Sequence, residues 1–296
     1  MNLTRRIPRM SVTVFCALAW FQAAHVSAQC PPLSKQAMAQ ALIWSGKPAV
    51  GNTYKVPNWL VQDGDSLSLA GAHRLRLGRI NTTEMATKGR PAQAYAEQGK
   101  ARLKQQLQLH PAVYVQLLPE VKDHYGRWLV KLYDGLGSSL EASLVAQGLA
   151  FVISMDEQGA EPCLWLQEAL ARRQGLGIWQ ASISHVRQAT TLTPKQGGFM
   201  RIGGVVTDIS QSRHHWYIGI GEQVAVKMAK DVLASSDTGI NSAKKLEPWI
   251  GQNITARGWL AWRKLSKKQH KKGFKAGVMS LYHLHMLEQA PHLGSY

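Results

Sequence analysis

The sequence predicts a mainly β fold with interspersed helices, organised as two units. Two runs of five short strand-like segments support this, one between residues 54 and 133 and the other beyond residue 199. In both runs apolar residues alternate over a few positions, and turn-forming residues separate the segments. The chain has 296 residues, which is enough for two units at about 100–200 residues per domain.

The first unit is predicted to contain five strands and three helices. The predicted strands are 54–61, 66–69, 73–80, 113–118 and 128–133. The predicted helices, which show helical spacing of apolar residues, are 92–109, 139–148 and 161–174. Five short strands with a helix between the third and the fourth are typical of a small barrel of the oligonucleotide-binding (OB) type.

The second unit is predicted to be β-rich and basic, and to span residues 199–296. Its predicted strands are 200–209, 216–220, 224–228, 253–260 and 278–283. A second OB-like barrel is one interpretation of this pattern. Residues 189–198, ATTLTPKQGG, have the composition of a linker.

Residues 1–28 have the composition of a signal peptide. Three arginines precede an apolar stretch over 10–24, and Val26 and Ala28 offer a cleavage site. The apolar stretch is shorter than the roughly 20 residues of a membrane span. We therefore expect an exported protein, periplasmic or secreted, without a stable membrane span after cleavage; an uncleaved anchor is the alternative.

Two cysteines, Cys30 and Cys163, remain after cleavage, and residues 29–52 form an N-terminal segment ahead of the first unit. An even pair of cysteines in an exported chain is consistent with a disulfide. Two unrelated thiols are the alternative.

The net charge narrows the class of partner. The chain carries 35 basic and 18 acidic residues, a formal charge of +17, while 45% of its residues are apolar. The apolar content excludes a disordered chain. The positive excess favours a polyanionic partner such as nucleic acid or an anionic envelope surface, and the second unit carries most of what remains after removal of residues 1–28.

Three polar segments of the first unit carry candidate chemistry. They are DGDS at 63–66, RLGRINTTE at 76–84 and DHYGR at 123–127. Each one alone is typical of a turn or of the solvated face of a strand. Their order and spacing, followed by LVAQGLA at 144–150 and GLGIW at 175–179, resemble the staphylococcal (thermo)nuclease family over residues 53–180.

This resemblance implies a catalytic domain at 53–188 and a calcium-dependent hydrolysis of phosphodiester bonds, with other divalent metals possible in place of calcium. By position in the motifs, Asp65, Asn81 and the backbone carbonyl of Thr82 would hold the metal. Asn81 stands where the family has an aspartate, and Thr83 where it has a proline. Loss of one negative charge predicts weaker or altered metal preference.

The resemblance also implies the roles of four other side chains. Arg76 and Arg127 would bind the phosphate, Glu84 would act as the general base on water, and Tyr125 would contact a substrate phosphate. The chemistry is consistent, because a phosphodiester is an anion that repels hydroxide and two guanidinium groups offset that charge. A carboxylate beside the phosphate can take a proton from water.

A basic run occupies 263–275 in the second unit, with seven Lys or Arg in thirteen residues. Phosphate attraction with base stacking is the usual way to bind single strands, and aromatic residues including Trp259, Phe274 and Tyr282 lie near the run. A solvated loop is the alternative. The residues predicted to bind substrate are Arg263, Lys264, Lys267, Lys268, Lys271 and Lys272.

The segment 254–260 also resembles the basic C-terminal β-domain of some exported bacterial nucleases of this family. The sequence therefore predicts an exported, metal-dependent nuclease that cuts DNA, RNA or both by in-line attack of an activated water, with a second domain that binds the nucleic acid. Two alternatives are a catalytically weak or inactive nucleic-acid-binding protein and an envelope interaction protein that uses its basic surface. No oligomeric state is predicted.

Overall fold

The computed structural model describes residues 30–289, except 46, 57, 71–72, 111, 157 and 236–239. The predicted signal peptide at 1–28 lies outside these residues. Two separate hydrophobic cores are present, each enclosed by one main sheet. Across the described part of the chain, no helix is long and apolar enough to cross a membrane.

The first sheet curls into a barrel. Its strands, in the order in which they pair, are β1 (Leu42–Ile43), β2 (Thr53–Lys55), β7 (Tyr114–Lys122), β8 (Trp128–Tyr133), β5 (Arg74–Leu77), β4 (Ser66–Leu69) and β3 (Trp59–Val61). The strands β2 and β3 lie far apart in this order, yet only residues 56–58 separate them in the chain. The sheet therefore bends round on itself. The single strand predicted at 54–61 is two strands, which lie near opposite ends of the order in which the strands pair.

Helices close the first barrel. They are α1 (Lys35–Ala39), α2 (Ala96–Leu109), α3 (Leu140–Ala146) and α4 (Pro162–Arg173). The helix α2 lies between β6 and β7, in the predicted interval between the segments 73–80 and 113–118, and buries Leu103 and Leu107 in the first core. Cys30 and Cys163 form a disulfide with their Cα atoms 5.1 Å apart, so the interpretation as unrelated thiols is wrong.

A two-stranded pairing beside the barrel was not predicted. The strand β6 (Ile80–Thr82) continues the chain after β5 and pairs with β9 (Ala150–Val152). In this ladder Asn81 lies opposite Phe151. The segment 80–82 carries several predicted site residues. Its pairing with β9 places this segment beside the barrel, on the side that faces the second unit.

The second sheet forms a closed barrel of five strands. They are β11 (Gly198–Gln211), β12 (His215–Ile220), β13 (Val224–Ala229), β15 (Gly277–Leu281) and β14 (Asn253–Trp262), and β14 pairs again with β11. Only the β13–β15 pair in this ring is parallel. The smaller elements are β10 (Val186–Gln188), α5 (Lys230–Ser235), α6 (Ala243–Leu246), α7 (Lys267–Lys271) and β16 (Leu287–Gln289).

The long strand β11 closes this ring because it bends. Its first half pairs with β14 and its second half with β12, with a register shift between Val206 and Asp208. Gly204 lies at the bend with φ at 155°, and a Cβ there would meet the Ile220 side chain at 2.8 Å. Bulges of this kind are a common way for one strand to serve two neighbours.

The segment predicted to be a linker is packed against the second barrel. Ala189 and Leu192 are buried in the second core, and β10, just before them, pairs in parallel with β11. Residues 189–192 are therefore part of the second unit and not a free linker. Through β10, the start of this unit packs against its own sheet.

Candidate active site

The three polar motifs meet in one cleft of about 670 Å³. All seven residues assigned to catalysis, phosphate contact or metal binding in the first unit line it. They are Asp65, Arg76, Asn81, Thr82, Glu84, Tyr125 and Arg127.

Local folding explains why these segments meet. The turn at 63–65 leads into β4, which pairs with β5 so that Ser66 lies opposite Arg76. The strand β8 runs parallel to β5 on its other side, which places the turn that precedes β8 near the same end of the barrel. Gly64 allows the first turn to approach β6, because a Cβ there would meet the Thr82 side chain at 2.8 Å.

The buried Asp65 carboxylate lies at the centre of the cleft. One oxygen, Oδ2, accepts hydrogen bonds from the backbone amide and the hydroxyl of Thr82, at 2.8 and 3.1 Å. The other oxygen, Oδ1, is ion-paired with Arg76 and accepts from the Ser66 hydroxyl at 3.1 Å. Burial alone would raise the pKa of Asp65, but the charge and hydrogen bond of Arg76, together with the Thr82 amide and the charge of Arg127, outweigh it and the pKa is lowered.

Arg76 connects two of the predicted metal ligands. Besides its pair with Asp65, it donates a hydrogen bond to Oδ1 of Asn81 at 2.8 Å. The Asn81 amide in turn donates to the carbonyl of Thr82 at 3.2 Å. Burial disfavours the charged guanidinium, yet the neighbouring Asp65 carboxylate raises the pKa of Arg76, so this arginine stays charged.

The donor set fits a hard cation. The oxygens of Asp65 and Asn81 converge on one positive group, the Arg76 guanidinium, and the Thr82 carbonyl lies beside them. Carboxylate, amide and carbonyl oxygens are the donors that calcium prefers. A divalent ion would have to displace Arg76 from these oxygens. Among the described residues, no group of three or more Asp, Glu, His or Cys is arranged to hold a metal, so such a site would contain fewer carboxylates than usual.

Glu84 lies at the edge of the cleft on a loop that is fixed by its backbone. The Glu84 amide donates to the side chain of Gln93 at 2.8 Å, and the Gln93 amide donates back to the Glu84 carbonyl at 2.9 Å. The motifs gave no sign of this role for Gln93. These two bonds restrain the loop at which Thr83 replaces the family's proline.

Two carboxyl groups in the cleft hold their protons more tightly than usual. Partial burial and then the charge of Asp65 raise the pKa of Glu84. The same two causes raise the pKa of Asp63. The Asp63 carboxylate accepts a hydrogen bond from the backbone amide of Asp65 at 3.0 Å. For both groups, burial is the larger of the two causes.

Arg127 is held in place by Asp123. Its Nε donates to the Asp123 carboxylate at 2.7 Å, and its Nη1 donates to the Ser66 hydroxyl at 3.2 Å. Burial would raise the pKa of Asp123, but hydrogen bonds from Arg127 outweigh that and lower it. Tyr125 is 62% exposed beneath the Arg127 guanidinium, 5.5 Å away. Both side chains therefore face the cleft from a turn that Asp123 holds.

Two other arginines of the motifs have structural contacts. Arg74 donates to the backbone carbonyl of Tyr125 at 2.8 Å, which fixes the turn. Arg79 is buried and ion-paired with Asp156 at 2.7 Å. The sequence motifs had given neither of these two arginines a role.

The predicted basic site lies away from the cleft. Residues 263–275 include the short helix α7, whose N-terminus is capped by reciprocal bonds between Ser266 and Gln269. The six predicted substrate-binding residues there are exposed, and none of them lines the cleft. Two aromatic residues of the same unit, Trp259 and Tyr282, do line it.

Comparison with known proteins agrees with this geometry. Residues 74–181 match the family model described as staphylococcal nuclease homologue. This region therefore resembles a staphylococcal nuclease domain. The matched region includes Arg76, Glu84 and Arg127, while Asp65 precedes it and the second barrel follows it. A search of the curated proteins found no match to the chain.

Proposed function

We propose that the protein is an exported nuclease that hydrolyses phosphodiester bonds in DNA or RNA. The reaction would need a divalent cation, and calcium is the cation we expect. The observation that carries the proposal is the position of Arg76, Arg127 and Glu84 around one cleft of a staphylococcal nuclease domain. The Cys30–Cys163 disulfide supports export, because such bonds persist in oxidising compartments.

The arginines would bind the phosphate. Arg127 presents its guanidinium from a turn that Asp123 and Ser66 hold, and Arg76 lies deeper in the cleft. Bound together to one phosphodiester, they would offset its charge and the charge that grows on its oxygens as water attacks. Tyr125 would contact a neighbouring phosphate at the exposed edge.

Glu84 would remove the proton from the attacking water. Burial and the charge of Asp65 raise its pKa, which makes it a stronger base than an ordinary glutamate. The water oxygen would bond to phosphorus as the bond to the leaving oxygen breaks on the opposite side. A cation held by Asp65, Asn81 and the Thr82 carbonyl would supply Lewis-acid polarisation of the phosphate.

A second candidate is a nucleic-acid-binding protein without activity. The observation that favours it is the engagement of the Asp65 and Asn81 oxygens by Arg76, together with the loss of one carboxylate at Asn81. In that case the arginines would bind phosphate and no cleavage would follow.

Cleavage assays with residues 29–296 separate the two candidates. Single-stranded DNA, duplex DNA and RNA are incubated with calcium, with manganese or with a chelator, using wild type and Glu84→Gln. Glu97→Gln is the matched control, since Glu97 is exposed on α2 and does not line the cleft. The proposal expects metal-dependent cleavage that falls about 10²–10⁴-fold in Glu84→Gln only. Binding without cleavage under every condition supports the second candidate.

A further inference from the structure

The staphylococcal nuclease domain does not form the cleft alone. Trp259, Ser280 and Tyr282 of the second barrel line the same cavity as Arg76 and Arg127. We propose that the second barrel supplies a base-binding wall, in which Trp259 and Tyr282 stack on the nucleobase next to the phosphate held by the arginines. This inference rests on the proposed function and names the part of the substrate that the second barrel recognises.

The strand register places this wall on one face. Trp259 lies opposite Ser280, and Ala261 lies opposite Val278, in the β14–β15 pair. Side chains directly opposite each other in such a pair point to the same face, and Tyr282 follows Ser280 by two positions. The alternate residues Leu260, Met279 and Leu281 are buried in the barrel core, so the first set faces outward, into the cleft.

The outward face offers aromatic surface to a flat ring. Tyr282 lies two positions beyond Ser280, the residue opposite Trp259, and the neighbouring Ser280 and Ala261 are small. Tyr282 is 46% exposed, and the Trp259 ring makes an edge contact with Phe199 at 5.1 Å. Stacking of a base on an aromatic side chain needs only such an accessible face and tolerates any base.

The interface between the two barrels fixes the wall in place. Arg257, two residues before Trp259 on β14, donates to the Glu168 carboxylate of α4 at 2.6 and 2.7 Å and to the Val152 carbonyl of β9 at 3.1 Å. Phe199 packs against Phe151 of β9 at 5.2 Å. Since β9 pairs with β6, which carries Asn81, the distance from wall to catalytic cluster is set by continuous contacts.

The cleft size predicts which bases can use the wall. A volume of about 670 Å³ lies in the range of pockets that hold one small ligand, which is one or two nucleotides rather than a duplex. Bases inside a duplex are stacked on each other and present no free face, and exposing one costs a few kcal/mol. The wall therefore selects unpaired nucleotides.

The test combines base removal with removal of the aromatic ring. Two single-stranded oligonucleotides are compared, one intact and one with abasic sites flanking the cleaved phosphate, on wild type, Tyr282→Ala, Trp259→Leu and Trp259→Phe. Wild type is expected to bind the intact strand about tenfold more tightly, as read from KM. Tyr282→Ala and Trp259→Leu are expected to treat both strands alike, and Trp259→Phe to keep most of the difference.

Controls separate this wall from general effects. Tyr217→Ala removes a partly exposed tyrosine of the same barrel that does not line the cleft, and should keep the wild-type difference. Thermal unfolding checks that each variant is folded, and Tyr282, being exposed, is the position least sensitive to packing.

The outcomes distinguish this inference from the proposed function. Suppose that wild type cleaves, and that the variants lower cleavage of both strands equally or change cleavage of neither strand. The base-binding wall is then wrong, and the proposed nuclease activity is upheld. If wild type cleaves neither strand, the nuclease is wrong, and fluorescence anisotropy with the same two strands still reads the base dependence of binding. Equal binding of intact and abasic strands by wild type would then overturn the wall as well.

Discussion

The protein contains two arginine–carboxylate clusters, one in the cleft and one between the barrels. The interface cluster consists of Arg201, Arg257, Glu168 and Glu288. Arg257 bonds to both glutamates, and Arg201 pairs with Glu288 and donates to the Ser184 carbonyl. Every member is buried to at least nine-tenths at the side chain.

The pKa values of the carboxyl groups differ between the two clusters. In the interface cluster, burial would raise the pKa of Glu288, but Arg257 and Arg201 outweigh it and lower the pKa to about 2. In the cleft, Asp65 is equally well paired, yet burial and the charge of Asp65 raise the pKa of both Asp63 and Glu84. Paired charges hold the barrels together, whereas burial next to Asp65 leaves two carboxyl groups of the cleft, Asp63 and Glu84, with raised pKa values.

The largest expected effect is on the interface. Arg257→Ala leaves the Glu168 carboxylate buried without its partner, and breaking a buried pair in this way costs about 3–5 kcal/mol. Urea unfolding should show this loss of free energy. Arg173→Ala, an exposed arginine of α4, should change it by less than about 0.5 kcal/mol. Equal effects of the two variants would contradict the structural role of the interface cluster.

Acid should weaken the interface cluster through Glu288. Its folded pKa of about 2 lies below the ordinary value of 4.5, so its stabilisation is present above pH 4.5 and is lost as the pH falls towards 2. The difference corresponds to about 3 kcal/mol. The gap in unfolding free energy between wild type and Glu288→Gln should therefore be largest near neutral pH and close on acidification. A gap that does not vary with pH would contradict this.

The cleft should respond in activity rather than in stability. Arg127→Lys keeps a positive charge beside Asp123 but loses the planar fork that binds two phosphate oxygens. We expect kcat/KM for single-stranded DNA to fall about 10²-fold with little change in melting temperature. Arg90→Ala, an exposed arginine outside the cleft, is the control. A loss of stability that matches the loss of activity would argue against a role in phosphate binding.

The smallest effect concerns the basic segment 263–275. Replacing Lys271 and Lys272 by Gln removes two exposed charges, and should lower the slope of log affinity against log salt by about 1.4 for single strands. Cleavage of short oligonucleotides should not change, because neither lysine lines the cleft. The control is the double replacement of Lys35 and Lys104 by Gln. If the control changes the slope equally, the effect comes from the net charge of the protein and not from the basic segment.

Local patterns in the sequence predicted much of the fold. The strands at 66–69 and 128–133 have the predicted bounds, because alternation and adjacent turns define both. The single strand predicted at 54–61 is two strands, since alternation continues across the break at 56–58. The β6–β9 pairing joins residues about 70 positions apart, and no local pattern encodes such a partner.

Motif order picked out seven residues of the first barrel that line one cleft, but it could not show what faces them. The spacing of Trp259 and Tyr282 near a basic run favoured a surface that binds nucleic acid, whereas the structure places both rings in the cleft. Likewise Arg257 and Glu168 look like ordinary surface charges in the sequence. Their burial depends on how the two barrels dock, which is a tertiary property that residue spacing does not contain.

The docking face of β9 and α4 also matters for truncation. A fragment that ends before β10 would expose the Phe151 ring and leave Glu168 without Arg257. Such a fragment would have an apolar patch bordered by an orphaned acid, which favours self-association during expression. A fragment of the first barrel alone would therefore be better behaved with a polar residue at Phe151, and the two barrels are best expressed together.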